Sequence, residues 1–369
     1  MIKPNSSPVV LSKFWEVAFG SGGDVFLVHP ERRHYRIRRP HPAIVRLLQG
    51  LSVSEPSDRL LGQLSLEYSP AVTRLIQEAI GRLQAAGVLV TPVENHITGM
   101  TEQVCNRFSS LVDWVESFDH GDGGTALNRM RQGRVAMIGL GGAGSLCAAM
   151  LAASGIGHLT LIDGDHVEET NLVRQLFYTE ADAVGRELKV NALRRVLNAL
   201  SSLTTVTPIP EFVKDQGGCA AWIRGHDFVV LTGDVPRILL QRVVNCACVH
   251  EGIPLLYAFH AQIGPMFMPG VSPCFACLEE AWRAESGAEY DELVAAFQDK
   301  PQRTYPSIVS GPVDTARLIF SDVFGAITRA YVPATLDAMI TTSAHASSVV
   351  PVRRNLRCPV CHSRAAVRS

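Results

Sequence analysis

The chain has 369 residues, with 34 lysines and arginines against 35 aspartates and glutamates, for a formal net charge of −1. That length, with 47% hydrophobic residues, supports more than one sizeable core. Near-neutrality removes the electrostatic case for a nucleic-acid partner, and no signal peptide or uninterrupted apolar span stands out, so a cytoplasmic protein with no membrane partner is expected.

Residues 25–29 (VFLVH) and 34–38 (HYRIR) read as two short strands around a Pro-Glu-Arg-Arg turn. Three helices follow. Residues 42–50 carry Ile44, Val45, Leu47 and Leu48, and residues 57–66 carry Leu60, Leu61 and Leu64. Residues 70–86 place Val72, Leu75, Ile76, Ala79, Ile80 and Leu83 at helical spacing. Gly87 stops this helix before a closing strand at 88–90. Strands, three helices and a closing strand predict a small winged-helix α+β domain over 1–95. Arg32, Arg33, Arg36, Arg38 and Arg39 form a basic cluster, but the third helix offers only Arg74 and Arg82 against Glu78, a poor recognition helix for DNA. The cluster suits acidic residues of a peptide as well as it suits a plain solvated strand face. Residues 96–131 read as a linker and a helix, FSSLVDWVESF, with a Gly/Asp-rich break at 119–124.

Next comes VAMIGL at 135–140, a buried strand by its apolar run. Gly139-Leu-Gly-Gly-Ala-Gly-Ser145 follows at once, then a small-residue helix through Ser154. A glycine turn between strand and helix lets backbone N–H groups approach phosphate oxygens at a helix N-terminus. The strand HLTLID ends at Asp163, placed to accept hydrogen bonds from ribose hydroxyls. Up to here a nicotinamide or flavin enzyme fits equally well. Asn171, Arg174, Gln175 and Lys189 discriminate, because cations clustered after the second strand can neutralise charge developing on a triphosphate. The bland alternative makes Arg174 and Lys189 solvated helix-face charges. Asp234 follows the strand FVVLTG and suits a Mg2+ ion bridging phosphates, or a helix N-cap ahead of Pro236, or both.

There are nine cysteines. Cys274-Phe-Ala-Cys277 and Cys358-Pro-Val-Cys361 are two C-x-x-C knuckles, which suit a tetrahedral structural Zn2+ tying the tail to the body. A redox pair is the alternative, without a thioredoxin-like context around either knuckle. His362 reads as a neighbour of the site or as surface rather than a ligand. Cys105, Cys147, Cys219, Cys246 and Cys248 sit singly in apolar or helical settings and read mostly as small core residues.

The turn G-x-G-G-x-G-S, the pair Asp163 and Asp165, the run Asn171-Leu-Val-Arg-Gln175 and the downstream Lys189 resemble the ubiquitin-activating-enzyme superfamily, with its bacterial ThiF and MoeB members. The resemblance covers roughly residue 106 to the C-terminal end. It implies a Rossmann-like, doubly wound α/β adenylation domain over 132–369 that uses ATP, Mg2+ and a structural zinc and pairs as a homodimer. By position, Gly139, Gly141, Gly142 and Gly144 would line the phosphates, and Asp163 would bind ribose with Asp165 and Gln175 beside the nucleotide. Asn171, Arg174 and Lys189 would contact phosphates, and Asp234 would hold Mg2+. Relatives lend an arginine to the partner subunit's ATP from an R-aromatic-x-R segment. Here Arg107-Phe-Ser-Ser lacks the second arginine, so Arg107, Arg129 or Arg131 takes that role or the lent arginine is lost. Residues 278–306 contain no cysteine, which speaks against thioester or sulfur-relay chemistry.

The first domain resembles the PqqD-like leader-recognition module of peptide-modifying enzymes, which captures an extended peptide as an added strand. Together the parts resemble the adenylating enzymes of ribosomally made peptide antibiotics, of the pantocin A and microcin C kinds. That implies activation of a precursor-peptide carboxylate, a Glu side chain in the first kind and a C-terminal Asn in the second, with dehydration and ring closure in the first. His260 and Arg303 are candidates near the substrate channel. The rivals are adenylation of a sulfur-carrier C-terminus, a catalytically silent docking partner, and an NAD oxidoreductase.

Overall fold

Apolar stripes at helical spacing build the N-terminal part of the chain around one core. The computed structural model describes residues 8–30, 34–52, 57–91, 100–118, 122–259, 261–298, 307–343 and 346–362. It divides into two compact units, 1–96 and 97–369. In the first, strands β1 (Val10–Leu11), β2 (Glu16–Phe19), β3 (Val25–Val28) and β4 (Tyr35–Ile37) precede helices α1 (Pro42–Ser52), α2 (Ser57–Glu67) and α3 (Pro70–Ala85), and β5 (Leu89–Val90) closes. Leu47, Leu48, Leu60, Leu64 and Ile76 are fully buried against Val25 and Leu27 of β3. Gly87 ends α3 at φ +69°, where only glycine is unstrained, and Val88 then donates to the Leu83 carbonyl.

Two strands were illegible in the sequence. β2 is mostly exposed and lacks a clean alternation, and β1 has two residues. The sheet β2-β3-β4 is antiparallel, and the closing strand β5 pairs with β1 rather than joining it. Within the basic cluster, Arg36 Nε donates to Asp24 Oδ2 at 2.7 Å and the Arg39 amide donates to Oδ1 at 2.9 Å. The Arg36 hydrogen bond, then that of Arg39, holds the Asp24 carboxyl below its usual range. Arg32 and Arg33 lie outside the described residues.

The second unit runs α4 (Glu102–Arg107), α5 (Ser109–Glu116), α6 (Gly123–Gln132), β6 (Arg134–Ile138), α7 (Gly142–Ala153), β7 (His158–Ile162), a 3-10 turn (Glu169–Asn171), α8 (Glu180–Val184), α9 (Lys189–Leu200) and β8 (Thr205–Ile209). It continues with α10 (Gln216–Ile223), β9 (Phe228–Leu231), α11 (Leu239–Glu251), β10 (Leu255–Phe259), β11 (Gln262–Ile263), α12 (Phe275–Ser286), α13 (Ala288–Gln298), α14 (Ser310–Thr328), β12 (Ala338–Thr342) and β13 (Ser347–Pro351). One eight-stranded sheet has the order β13-β12-β11-β10-β9-β6-β7-β8. The five strands from β10 to β8 are parallel, and β11, β12 and β13 extend the sheet antiparallel.

Both faces of the inner parallel strands are covered, which is why β6, β9 and β10 are almost continuous apolar runs, while the edge strand β8 is partly exposed and carries two threonines and a proline. Val135 and Met137 point into the core beneath α7, α9 and α14, while Ala136 and Ile138 point into the core beneath α10 and α11. The expected connecting region is part of this body: Val115, Ala126 and Met130 lie in the first of those cores. The Gly/Asp-rich stretch starts a helix. Asp122 caps α6 by accepting from the Thr125 amide at 2.8 Å, and a Cβ on Gly123 would lie 2.4 Å from the Val112 carbonyl oxygen. No helix among the described residues is long and apolar enough to cross a membrane.

At the N-terminal edge of the sheet, Thr160 Oγ1 lies 2.8 Å from His226 Nε2 and 3.2 Å from His158 Nε2. Burial, assisted by the charge of Arg134, holds both imidazoles below the ordinary 6.5. A histidine whose pKa falls on folding contributes stability that is complete above pH 6.5 and is lost as pH drops through the folded value. The double variant His158→Gln, His226→Gln is therefore expected to lose less melting temperature than wild type between about pH 7 and pH 5.5, as differential scanning fluorimetry would register.

Candidate active site

Strand order reverses at β6, with β7 and β8 on one side and β9 and β10 on the other. In open α/β sheets, ligands bind outside the carboxyl ends of the strands at such a reversal, here where the loops after β6, β7 and β9 lie. The glycines of the first loop have different reasons to be glycine. Gly139 has φ +88°, and a Cβ on it would lie 2.3 Å from the Gly233 amide nitrogen, so the two loops pass backbone against backbone. Thr232 Oγ1 donates to the Gly139 carbonyl at 2.7 Å. A Cβ on Gly144 would meet that carbonyl oxygen at 2.1 Å, and one on Gly142 would meet Pro312 at 2.7 Å and the Arg174 carbonyl at 2.8 Å. At Gly141 the nearest atom is Gln175 Nε2, 3.9 Å away, and Gly141 is the N-cap of α7 with no side chain capping the helix. Three glycines are thus demanded by packing, and one leaves the helix N-terminus uncovered by any side chain.

Gly144→Ala is accordingly expected to cost about 1–3 kcal/mol of stability through overpacking. Gly141→Ala, at an ordinary φ of −69° with space beside it, should move the melting temperature by no more than about 2 °C while weakening ATP binding. Thermal melts and ATP titrations of the two variants separate packing from ligand contact.

Asp163 is 8% exposed. Its Oδ2 accepts from the Leu140 amide at 2.6 Å and its Oδ1 from the Asp165 amide at 2.8 Å, so it fixes the glycine loop as well as facing the crevice. Burial pushes its carboxyl up, and the charge of Lys189 opposes that push. Lys189 opens α9 and is buried, with Nζ 2.9 Å from Asp165 Oδ2. Asn171 is buried in the 3-10 turn, its Oδ1 accepting from the Glu168 amide. Arg174 is half-buried and Nη1 donates to the Thr170 carbonyl at 2.8 Å. Gln175 is 4% exposed, and its Oε1 has no hydrogen-bond partner among the described residues.

Asp234 is half-buried beside the cis Val235–Pro236 bond, and its carboxylate makes no hydrogen bond or ion pair among the described residues. The expected helix cap is corrected here: α11 begins at Leu239 behind Ile238, so Asp234 caps nothing. An untethered hard-oxygen donor at the crevice fits a Mg2+ ion. Three further residues carry no sequence motif. Tyr178 donates to the Leu140 carbonyl at 2.7 Å, Gln241 donates to the Gly233 carbonyl at 3.4 Å, and Arg237 is a cation only 7% exposed in the segment after Asp234. Tyr178 and Arg237 lie in loops, where nothing in the sequence marks them, and Gln241 stands out only as a polar residue near the start of α11. His260 and Arg303 lie outside the described residues.

Each candidate for the arginine lent to a partner donates within its own chain. Arg107 reaches the Leu200 carbonyl at 3.0 Å, Arg129 the Thr328 carbonyl at 2.5 Å and Arg131 the Leu203 carbonyl at 2.6 Å.

Away from the crevice, Cys274, Cys277, Cys358 and Cys361 are all buried and their sulfurs lie within 4.8 Å of one another. Cys274–Cys358 and Cys277–Cys361 are 3.7 Å apart and Cys274–Cys277 is 4.0 Å. No pair is a disulfide. A tetrahedron with zinc–sulfur bonds near 2.3 Å has edges of about 3.8 Å, so the four thiols fit Zn2+ without rearrangement. Asn245 of α11 accepts the Phe275 amide at 3.0 Å and seats the first knuckle. His362 is exposed. Cys147, Cys219 and Cys248 are buried, and Cys105 and Cys246 are partly exposed. Burial pushes the Cys147 and Cys219 thiols up to about 12, as suits inert core residues.

The ThiF family profile matches residues 115–334. The sulfur carrier protein ThiS adenylyltransferase of Bacillus subtilis is 34% identical over 162 residues, 43% of this chain and 47% of that protein. The molybdopterin-synthase adenylyltransferase of Escherichia coli is 32% identical over 168 residues, 44% of this chain and 64% of that protein. The chain therefore matches about half to two thirds of the length of these relatives. Among solved structures, E. coli MccB with ATP superposes with a TM-score of 0.74 at 22% identity, over 96% of this chain and 99% of that one. PaaA superposes with a TM-score of 0.70 at 19% identity, over 93% of this chain and 100% of that one. At those identities the two matches establish a shared fold.

Proposed function

The chain belongs to the ThiF family, and from that premise we propose that it uses ATP to adenylate a carboxylate of a ribosomally made precursor peptide, with an internal nucleophile then displacing AMP. One observation carries the peptide assignment. A separate unit with its own core precedes the glycine-loop unit in the chain, and fold similarity extends over nearly the full length of MccB, a microcin C7 biosynthetic enzyme solved with ATP and with N-formylated MccA.

The chemistry follows from charge. A peptide carboxylate oxygen attacks the α-phosphorus, and the bond to pyrophosphate breaks. Lys189 and Arg174, with the uncapped N-terminus of α7, offset the charge gathering on the phosphates. Asp163 accepts from the ribose hydroxyls, with Asp165 and Gln175 beside the nucleotide, and Asn171 contacts the phosphates. Asp234 would hold a Mg2+ ion, which supplies charge neutralisation between phosphate oxygens. A neighbouring amide nitrogen or carbon of the peptide then attacks the acyl carbon, AMP leaves, and water is lost overall. Holding nucleophile and adenylate together is worth roughly 7–11 kcal/mol, so no dedicated general base is required. The first unit would hold the leader as an added strand. Zinc at the four cysteines would be structural, and the protein would act as a homodimer in the cytoplasm, whose reducing conditions suit its free thiols.

The preferred carboxylate is a Glu side chain, with a C-terminal Asn as the variant chemistry. Likeness to the two adenylyltransferases supports a second reading, activation of a sulfur-carrier C-terminus. Purified protein with Mg-ATP and the peptide encoded beside its gene decides among them. AMP with loss of water from the peptide supports the proposal, and a stable adenylyl adduct moves it to the microcin type. ATP left intact beside bound peptide sinks the enzyme reading.

A further inference from the structure

Phe212 is a large aromatic side chain left 55% exposed, in the short segment Glu211-Phe-Val-Lys214 after β8. Its ring does not hang in solvent. A Cβ built on Gly164 would lie 2.6 Å from both Cδ2 and Cε2 of Phe212 and 2.9 Å from Cγ. The ring rests on the bare backbone of Gly164, and any other residue there would push it away. Gly164 separates Asp163, which holds the glycine loop, from Asp165, which pairs with Lys189. The ring therefore borders the ribose side of the crevice at the C-terminal ends of β7 and β8. No other aromatic ring packs on it among the described residues. Leaving a phenyl ring half in water forgoes hydrophobic stabilisation, which a ligand covering the free face restores.

We propose that Phe212, seated on Gly164, is the platform on which the base of the bound nucleotide stacks. This rests on the nucleotide reading given above and adds the residue that holds the base. Every base has a π-face, so a single aromatic platform binds bases without choosing among them. Phe212 therefore supplies affinity, and discrimination between adenine and guanine falls to groups along the base edge.

The test is calorimetric titration of the full-length protein with Mg-ATP and, separately, with inorganic tripolyphosphate, which has no base. Phe212→Ala should weaken ATP binding by about 10- to 100-fold and leave tripolyphosphate unchanged. Phe212→Trp should keep ATP affinity within about threefold, since stacking needs a ring rather than this ring. In turnover, Phe212→Ala should raise KM for ATP with kcat intact at saturation. Gly164→Ala should reproduce the ATP loss with the ring still present. Wild-type binding of ATP that Phe212→Ala leaves within twofold overturns the platform and spares the nucleotide reading. Equal losses for ATP and tripolyphosphate also overturn it, because the residue would then act on the loop rather than the base. Wild-type protein that binds no ATP overturns the nucleotide reading, and the platform with it.

Discussion

Lys189→Ala is expected to slow AMP formation by roughly a hundred- to a thousandfold at saturating ATP and peptide. Lys189 is a buried cation whose one ion-pair partner among the described residues is Asp165, at 2.9 Å. Asp165 is 54% exposed, so water can replace the lost ammonium and the fold should survive. The site should not. Asp163 is nearly buried, burial already disfavours its charge, and Lys189 is the cation that offsets this. Without Lys189, incoming phosphates meet two carboxylates and no opposing lysine. Lys189→Arg should restore only part of the rate, because a planar fork cannot replace a compact point charge in a buried position. The measurement is AMP release with a parallel thermal melt. A loss under tenfold, with the melt unchanged, would confine Lys189 to an internal ion pair.

Metal analysis should return one zinc per chain, and Cys358→Ser should abolish it and lower the melting temperature by about 10 °C or more. The two knuckles are 84 residues apart in sequence and their sulfurs stand at tetrahedral spacing. All four cysteines belong to the core that includes Tyr257, Phe267, Phe275 and Val352. Losing the metal therefore leaves three buried thiols without a charge to share and loosens the tail from α12. Protein that holds no metal, or melts unchanged after Cys358→Ser, would contradict a structural zinc.

The parallel half of the second unit was legible because its signals are local. VAMIGL and FVVLTG are uninterrupted apolar runs since both sheet faces are covered, and the glycine turn lies within seven residues of sequence. The knuckles were legible for the same reason. What escaped was set by tertiary contact. β11 has two residues and β13 is exposed along its whole length, so neither carries a pattern. The start of α6 depends on Gly123 sliding under the Val112 carbonyl, and the Asp119–Gly124 stretch reads as a break until that contact is seen. Asp234 looked like a cap because Pro commonly opens a helix, yet the chain continues to Ile238 before α11 starts. Tyr178 and Phe212 act on loops distant in sequence, where spacing says nothing.

The pairing of knuckles also sets a timetable for synthesis. Cys274 and Cys277 leave the ribosome 84 residues ahead of Cys358 and Cys361, an interval of roughly 4 to 17 s at ordinary elongation rates. During it the first pair can offer a metal only half a coordination shell. The parallel strands β6, β7, β8, β9 and β10 and the short β11 are already made by then, while β12, β13 and the second pair are still to come. Were the four thiols to take a metal, its capture would be among the last steps in building this unit, and chains made without it would have a complete glycine loop and an unfastened tail.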